Sequence, residues 1–231
     1  MKGIFYSTIT VIFIIPMLVF TFAYLDSFRA VSQTTTSKAV GDKIASFSKS
    51  IDSDLPRAVE IIAKRSIEAN INHIESSGAS LDDAEFRIQE SMTNGTVFGN
   101  STVLNNFTIS LWANILNSKG SAYGFDTSVD ILSINITPID SYHVGVGVII
   151  SVNMSDSGSN TNLYRVYDTT IPVSVEGLVD PLYLLYTNGL IKRTIRAPNI
   201  TVYGAASVDI AVVREFYMQS ADGPSFLDRL E

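Results

Sequence analysis

Residues 144–154 read VGVGVIISVNM, and every second one is apolar: Val144, Val146, Val148, Ile150, Val152 and Met154. A period of two puts those six side chains on one face of an extended strand and Gly145 and Gly147 on the other. The flanking stretches alternate in the same way. Residues 129–137 offer Leu132, Ile134 and Ile136 to one face, and residues 163–175 offer Tyr167, Ile171, Val173 and Val175. Pro138-Ile139-Asp140-Ser141 and Ser155–Asn160 separate the three runs with turn-forming residues. Three short strands in succession predict an antiparallel meander with one buried face, which other elements must cover.

The cover lies upstream, where the period is 3.6. Val40, Ile44, Phe47, Ile51 and Leu55 step by three and four, and Val59, Ile62, Ala63, Ile67 and Ile74 continue the stripe. Thr34-Thr35-Thr36 and Gly41 are poor helix formers and predict a loosened join before this stripe. Asp52-Ser53-Asp54 ahead of Pro56 predicts a helix restart, with a stop near Ser76-Ser77-Gly78. Ser80-Leu81-Asp82-Asp83 predicts the start of a helix over 81–92. Leu104, Phe107, Leu111, Trp112, Ile115 and Leu116 predict another over 102–117, with Trp112 in the core. The expected class is α+β: a transmembrane helix over 1–25, an amphipathic helical stalk over 26–80, and a head over 81–231 in which helices pack on an antiparallel β-meander.

Gly3 to Leu25 contains no charged residue. As a helix it extends roughly 34 Å, enough for the hydrocarbon core of a bilayer, and Pro16 is tolerable there. The run is longer than the apolar core of a cleaved signal peptide and ends without a small-x-small site, so it predicts an uncleaved signal anchor. Lys2 precedes the span, whereas Asp26 and Arg29 nearly cancel after it. The charge asymmetry predicts a cytoplasmic N-terminus and an extracellular bulk, on a single-pass protein of the cell membrane. Six Asn-x-Ser/Thr sequons, at Asn94, Asn100, Asn106, Asn135, Asn153 and Asn199, all lie beyond residue 93. They are candidate glycosylation sites of a glycoprotein.

Composition excludes much chemistry. The 231 residues hold no cysteine, which removes disulfides, Cys-ligated zinc, iron–sulfur clusters and a thiol nucleophile. His73 and His143 are the only histidines. The formal net charge is −7, and the excess is distal: residues 26–80 carry 7 acids and 7 bases, residues 81–231 carry 16 and 8. That balance argues against a nucleic-acid partner. Asp156–Asn160 is oxygen-rich like a calcium loop but lacks the terminal bidentate acid. Asp126, Asp130 and Asp140 flank a strand, as solvated acids commonly do. No phosphate-cradling loop, nucleophile elbow or His-Glu-x-x-His is present. No catalytic residue, metal ligand or cofactor is therefore expected, and the reading is non-enzymatic.

Val175-Glu176-Gly177-Leu178-Val179-Asp180-Pro181-Leu182-Tyr183, with Thr187-Asn188-Gly189 after it, is the most distinctive stretch. Its apolar run and Asn-Gly turn predict a hairpin of 181–187 with 190–196. The stretch resembles a segment of archaeal single-span surface and secreted proteins in which a GLEDPLY…NTNG-like run follows a β-meander; Val179 stands where an acid is usual. Gly223–Glu231 resembles another of their recurring pieces, which implies that the chain continues past Glu231. The whole plan is similar to a type IV pilin: Lys2-Gly3, an apolar helix leading into an amphipathic one, then a β-rich head. Thr8 stands where bacterial pilins carry glutamate, a residue that archaeal pilin-like proteins often lack.

That resemblance implies processing between Gly3 and Ile4. It also implies partnership with the membrane and with other pilin-like subunits or an assembly-platform protein, in a cell-surface filament, its assembly apparatus or cell adhesion. The alternative function is an extracytoplasmic ligand-binding sensor domain.

Overall fold

A computed structural model describes residues 2–101, 107–156, 158, 161–197, 211–214, 216–217 and 224–231, with side chains from Phe13 onward except Gln33. The order is α1 (Lys2–Ser77), α2 (Ala84–Asn94), β1 (Thr96–Val97), β2 (Asn100–Ser101), α3 (Ile109–Tyr123), β3 (Asp126–Pro138), β4 (His143–Asp156), β5 (Thr161–Ser174) and α4 (Pro181–Tyr186). A 3-10 turn follows at Leu227–Arg229. The class is α+β, with a long N-terminal apolar helix and a small antiparallel sheet.

β3, β4 and β5 form the expected meander, with β4 in the centre. Val144, Val146, Val148, Ile150, Val152 and Met154 are all fully buried, as the alternation requires. β3 departs from its pattern. A bulge between Ile131 and Ser133 shifts its register on β4. Val129 and Ile131 pack on the core before it, and Ile134 and Ile136 after it. Leu132, expected inward, is 56% exposed, because the extra residue of a bulge faces neither ladder partner.

α1 is the second layer. It runs unbroken through both places where a join or restart was expected. The hydroxyls of Thr34, Thr35 and Thr36 donate to the carbonyls of Ala30, Val31 and Ser32, four residues back, so the polar side chains bond within the helix instead of competing with it. Pro56 lies inside the helix as well. Leu55 and Val59 on either side of it are buried in the core, and tertiary packing offsets a poor local sequence. The stop at Gly78 is as expected: its φ is +69° and its N–H donates to the Ile74 carbonyl at 2.8 Å.

From Ile44 to Ile74 the α1 stripe is buried. Its register on β5 is pinned by polar contacts. The Tyr167 hydroxyl meets Ser48 Oγ at 2.7 Å in a buried site, and Arg165 reaches both Ser48 and Asp52. Asn70 donates to the Ser66 carbonyl and Ser91 Oγ, joining α1 to α2. The first half of α1 differs. Phe13, Phe20, Phe22, Phe28 and Val31 are each more than 60% exposed. Among the described residues, α1 is the one helix long and apolar enough to cross a membrane, with a window of mean hydropathy 1.5.

α2 begins at Ala84, with the Asp83 carboxylate accepting from the Phe86 N–H, and α3 begins at Ile109 after the Thr108 cap. The expected start of a helix at 102 falls on residues 102–106, outside the described residues. Trp112 is half-buried against the core.

The predicted hairpin of 181–187 with 190–196 is not formed. Pro181–Tyr186 is helical, because Asp180 caps its first turn and Pro181 fits the first helical position. Asn188 and Gly189, at φ +49° and +78°, end that helix. The Gly189 N–H donates to the Leu184 carbonyl at 2.8 Å, and the Asn188 N–H to Leu185. Residues 193–195 turn back to 177–180, with a bridge between Val179 and Thr194. Leu184 is buried, whereas Tyr186 is 83% exposed.

Two stability outcomes follow from this packing. Ile67→Ala, at a fully buried position of α1, is expected to cost about 2–5 kcal/mol in denaturant unfolding of the head. Val31→Ala on the same helix is expected to stay within about 0.5 kcal/mol. Gly189→Val is expected to cost about 1 kcal/mol or more, since a β-branched residue must then adopt a left-handed conformation.

Candidate functional site

A cavity of about 410 Å³ opens where the chain leaves α4 and doubles back. Asp180, Lys192–Arg196, Arg214, Phe216 and Tyr217 line it. Its rear wall is built from the capping geometry of α4. Asp180 is 2% exposed; one carboxylate oxygen accepts the Leu182 N–H and the other accepts Arg229 Nη1 at 3.2 Å. Arg229, 5% exposed, also donates to the Ser141 carbonyl in the β3–β4 turn and lies 4.1 Å from the centre of the Tyr217 ring. A single buried guanidinium thus joins three chain segments. Burial raises the Tyr217 phenol above its usual range, and its hydrogen bond to the Asp180 carboxylate acts in the same direction.

The outer wall is cationic. Lys192 pairs with Glu75 near the end of α1. Arg193 donates to the Tyr183 hydroxyl at 2.9 Å and to the Arg214 carbonyl, and its guanidinium lies over the Tyr183 ring. Arg196 and Arg214 are exposed. The backbone of this wall is held by Asp180 N–H to the Arg193 carbonyl at 2.7 Å and Ile195 N–H to the Leu178 carbonyl at 2.8 Å.

A second polar cluster is structural. Arg87 binds Asp82 through two nitrogens and Glu90 through a third, 3.8 Å from the centre of the Phe98 ring. Glu90 in turn accepts the Thr96 hydroxyl and the Gly99 N–H, fastening the β1–β2 hairpin to α2. Hydrogen bonding to Arg87 holds the Asp82 carboxyl at about 2. Burial alone would raise Glu90, but the Gly99 N–H, Arg87 and the Thr96 hydroxyl outweigh it and hold that carboxyl low.

His143 pairs with Asp140, three residues before it: Nδ1 lies 3.0 Å from the Asp140 carboxylate, which also accepts the Tyr142 and His143 N–H groups. Asp140 thereby closes the β3–β4 turn. Asp126 and Asp130 lie exposed along β3. Among the described residues no group of three His, Asp or Glu side chains is placed to hold a metal.

Gly3 and Ile4 lie in the first turn of α1. Asn94, Asn100, Asn135 and Asn153 are exposed. Asn135 and Asn153 stand on the outer face of the sheet, opposite the buried valines, while Asn94 and Asn100 flank the β1–β2 hairpin. Asn106, Asn199 and most of the turn at 157–160 lie outside the described residues. Sequence reading missed the cationic wall. Its signal was the cluster Lys192-Arg193-x-x-Arg196, which holds three of the eight bases beyond residue 80.

Comparison with protein-family models, with curated proteins and with solved structures finds no match to this chain.

Two outcomes test these clusters. Arg229→Ala leaves the Asp180 carboxylate buried without its cation and is expected to cost about 3–5 kcal/mol in unfolding. Asp82, low in the folded chain, contributes stability that is present above its ordinary value of 3.8 and lost as pH falls towards about 2. Asp82→Asn is therefore expected to flatten the acid limb of a stability-versus-pH curve over that window and to leave its neutral limb unchanged in slope.

Proposed function

We propose that this chain is a non-enzymatic, single-span surface protein of pilin-like design, with its N-terminus inside and its head outside the cell. One observation carries the reading: α1 runs unbroken from Lys2 to Ser77, exposed and apolar from Phe13 to Leu25 and built into the head from Ile44 to Ile74. A helix of this kind transmits the position of a membrane or filament core directly to the head, with no flexible join between. The apolar half has two possible environments, a bilayer or the packed helices of neighbouring subunits. In either, Phe13 to Val31 lose the water contact they have in the isolated chain. Partners of this kind are other pilin-like subunits or an assembly-platform protein. The exposed Asn135 and Asn153 put attached glycans on the outer face of the sheet, where they would shield its small and polar side chains.

Processing tests the filament half of this reading. N-terminal sequencing of the mature protein is expected to begin at Ile4; a start at Met1 would remove filament assembly and leave a membrane anchor. Topology tests the other half. Protease added to intact cells is expected to degrade the head and spare the N-terminus, and a head protected until the cells are lysed would place it on the wrong side.

A further inference from the structure

We propose that the cavity beside α4 binds an acidic sugar: a small polyhydroxylated ligand whose carboxylate or phosphate is gripped by Arg196 and Arg214. The site would give the head a recognition function beyond anchoring or assembly, and it stands whether or not the chain forms filaments.

The first argument is charge. Residues 81–231 carry 16 acids and only 8 bases, yet Lys192, Arg193, Arg196 and Arg214 line this one cavity. Cations gathered around a concave surface raise the local concentration of anions. Among the described lining residues Asp180 is the one acid, and its carboxylate is already engaged by Arg229, the Leu182 N–H and Tyr217. It does not neutralise the wall.

The second argument is the allotment of partners. Lys192 is paired with Glu75, and Arg193 is held by Tyr183 and the Arg214 carbonyl. Among the described residues the guanidinium groups of Arg196 and Arg214 have no ion-pair or hydrogen-bond partner. Two planar forks on residues that line one cavity suit a carboxylate or phosphate, which accepts paired N–H donors.

The third argument is shape. The cavity has room for a ligand of one or two sugar rings. Phe216 and Tyr217 supply aromatic surface, and Thr194 supplies a hydroxyl. Such a mixture of flat apolar surface and polar groups suits a sugar ring better than a bare inorganic ion. The wall is also fixed before any ligand arrives. Backbone bonds to 178–180 and the stacking of Arg193 on Tyr183 hold it, so little ordering would be required on binding.

Location separates a sugar from the headgroups of the chain's own membrane. Lys192 is tied to Glu75, and about 75 Å of helix separates that residue from Leu25 at 1.5 Å per residue. The cavity therefore lies at the end of α1 remote from the apolar segment.

The test uses the purified full chain in detergent, titrated with galacturonate, glucose 6-phosphate and neutral glucose, with vesicles of phosphatidylglycerol as a separate arm. At least one acidic sugar is expected to bind about tenfold or more tightly than glucose, and to weaken as salt is added. Backbone amide signals of residues 194–197 are expected to shift on titration. An R196Q/R214Q variant, changed only at exposed side chains, is expected to bind about tenfold more weakly at an unchanged Tm. Equal affinity for glucose, no binding of either acid up to about 10 mM, or undiminished binding by the variant would each overturn the proposal. So would shifts confined to other residues, a reading that needs no variant and so holds even if the double substitution lowers the Tm. Arg196- and Arg214-dependent binding to the vesicles with none to the sugars would also overturn it, in favour of a lipid headgroup.

Discussion

Three strands can hide only one face of a sheet from each other's solvent, and here that face is almost entirely aliphatic. Val144, Val146, Val148, Ile150, Val152 and Met154 on the inner face of the central strand have no water contact at all. Burying them requires a second layer of matching length, and the stripe from Ile44 to Ile74 on α1 supplies it. Each fully buried aliphatic side chain contributes on the order of 1.5–3 kcal/mol, so this contact outweighs every polar interaction in the head. Weak local preferences give way to it. A proline, a threonine triplet and a glycine remain helical because the residues around them are held in the core or bonded within the helix.

Polar groups then select one register from the many that an apolar contact would allow. Ser48 against Tyr167, Arg165 against Asp52, and Asn70 against Ser91 each couple α1 to a particular partner residue. The buried bonds of this set, Ser48–Tyr167 and Asn70–Ser91, are costly to leave unmade, and a helix slipped by one turn would lose both. Arg229 does the same at the far end. It ties the β3–β4 turn to the cap of α4 and to Tyr217, and so sets the rear wall of the cationic cavity.

The two ends of α1 face different problems. The first half offers apolar surface to whatever surrounds it, while the second half is used up inside the head. Since no break separates them, a displacement at the N-terminal end is passed to the head along a continuous hydrogen-bonded rod. The cavity proposed for acidic sugars lies at the opposite end of that rod.

Periodicity alone determined the three strands, the inward face of β4, the apolar N-terminal run and the stop at Gly78, because each depends on a repeat or a glycine that local sequence displays. Tertiary structure decided the rest. Whether Pro56 breaks a helix depends on what Leu55 and Val59 touch. Leu132 points outward because of a one-residue bulge that alternation cannot reveal. Pro181–Tyr186 has the apolar content of a strand, and only the Asp180 cap and the left-handed Asn188-Gly189 exit, both held by neighbouring segments, make it a helix. The cavity was legible only as a run of bases at 192–196. Its partner Arg214, its anchoring by Arg229 and the engagement of Asp180 come from residues 18 to 49 positions away, and no local pattern joins groups at that separation.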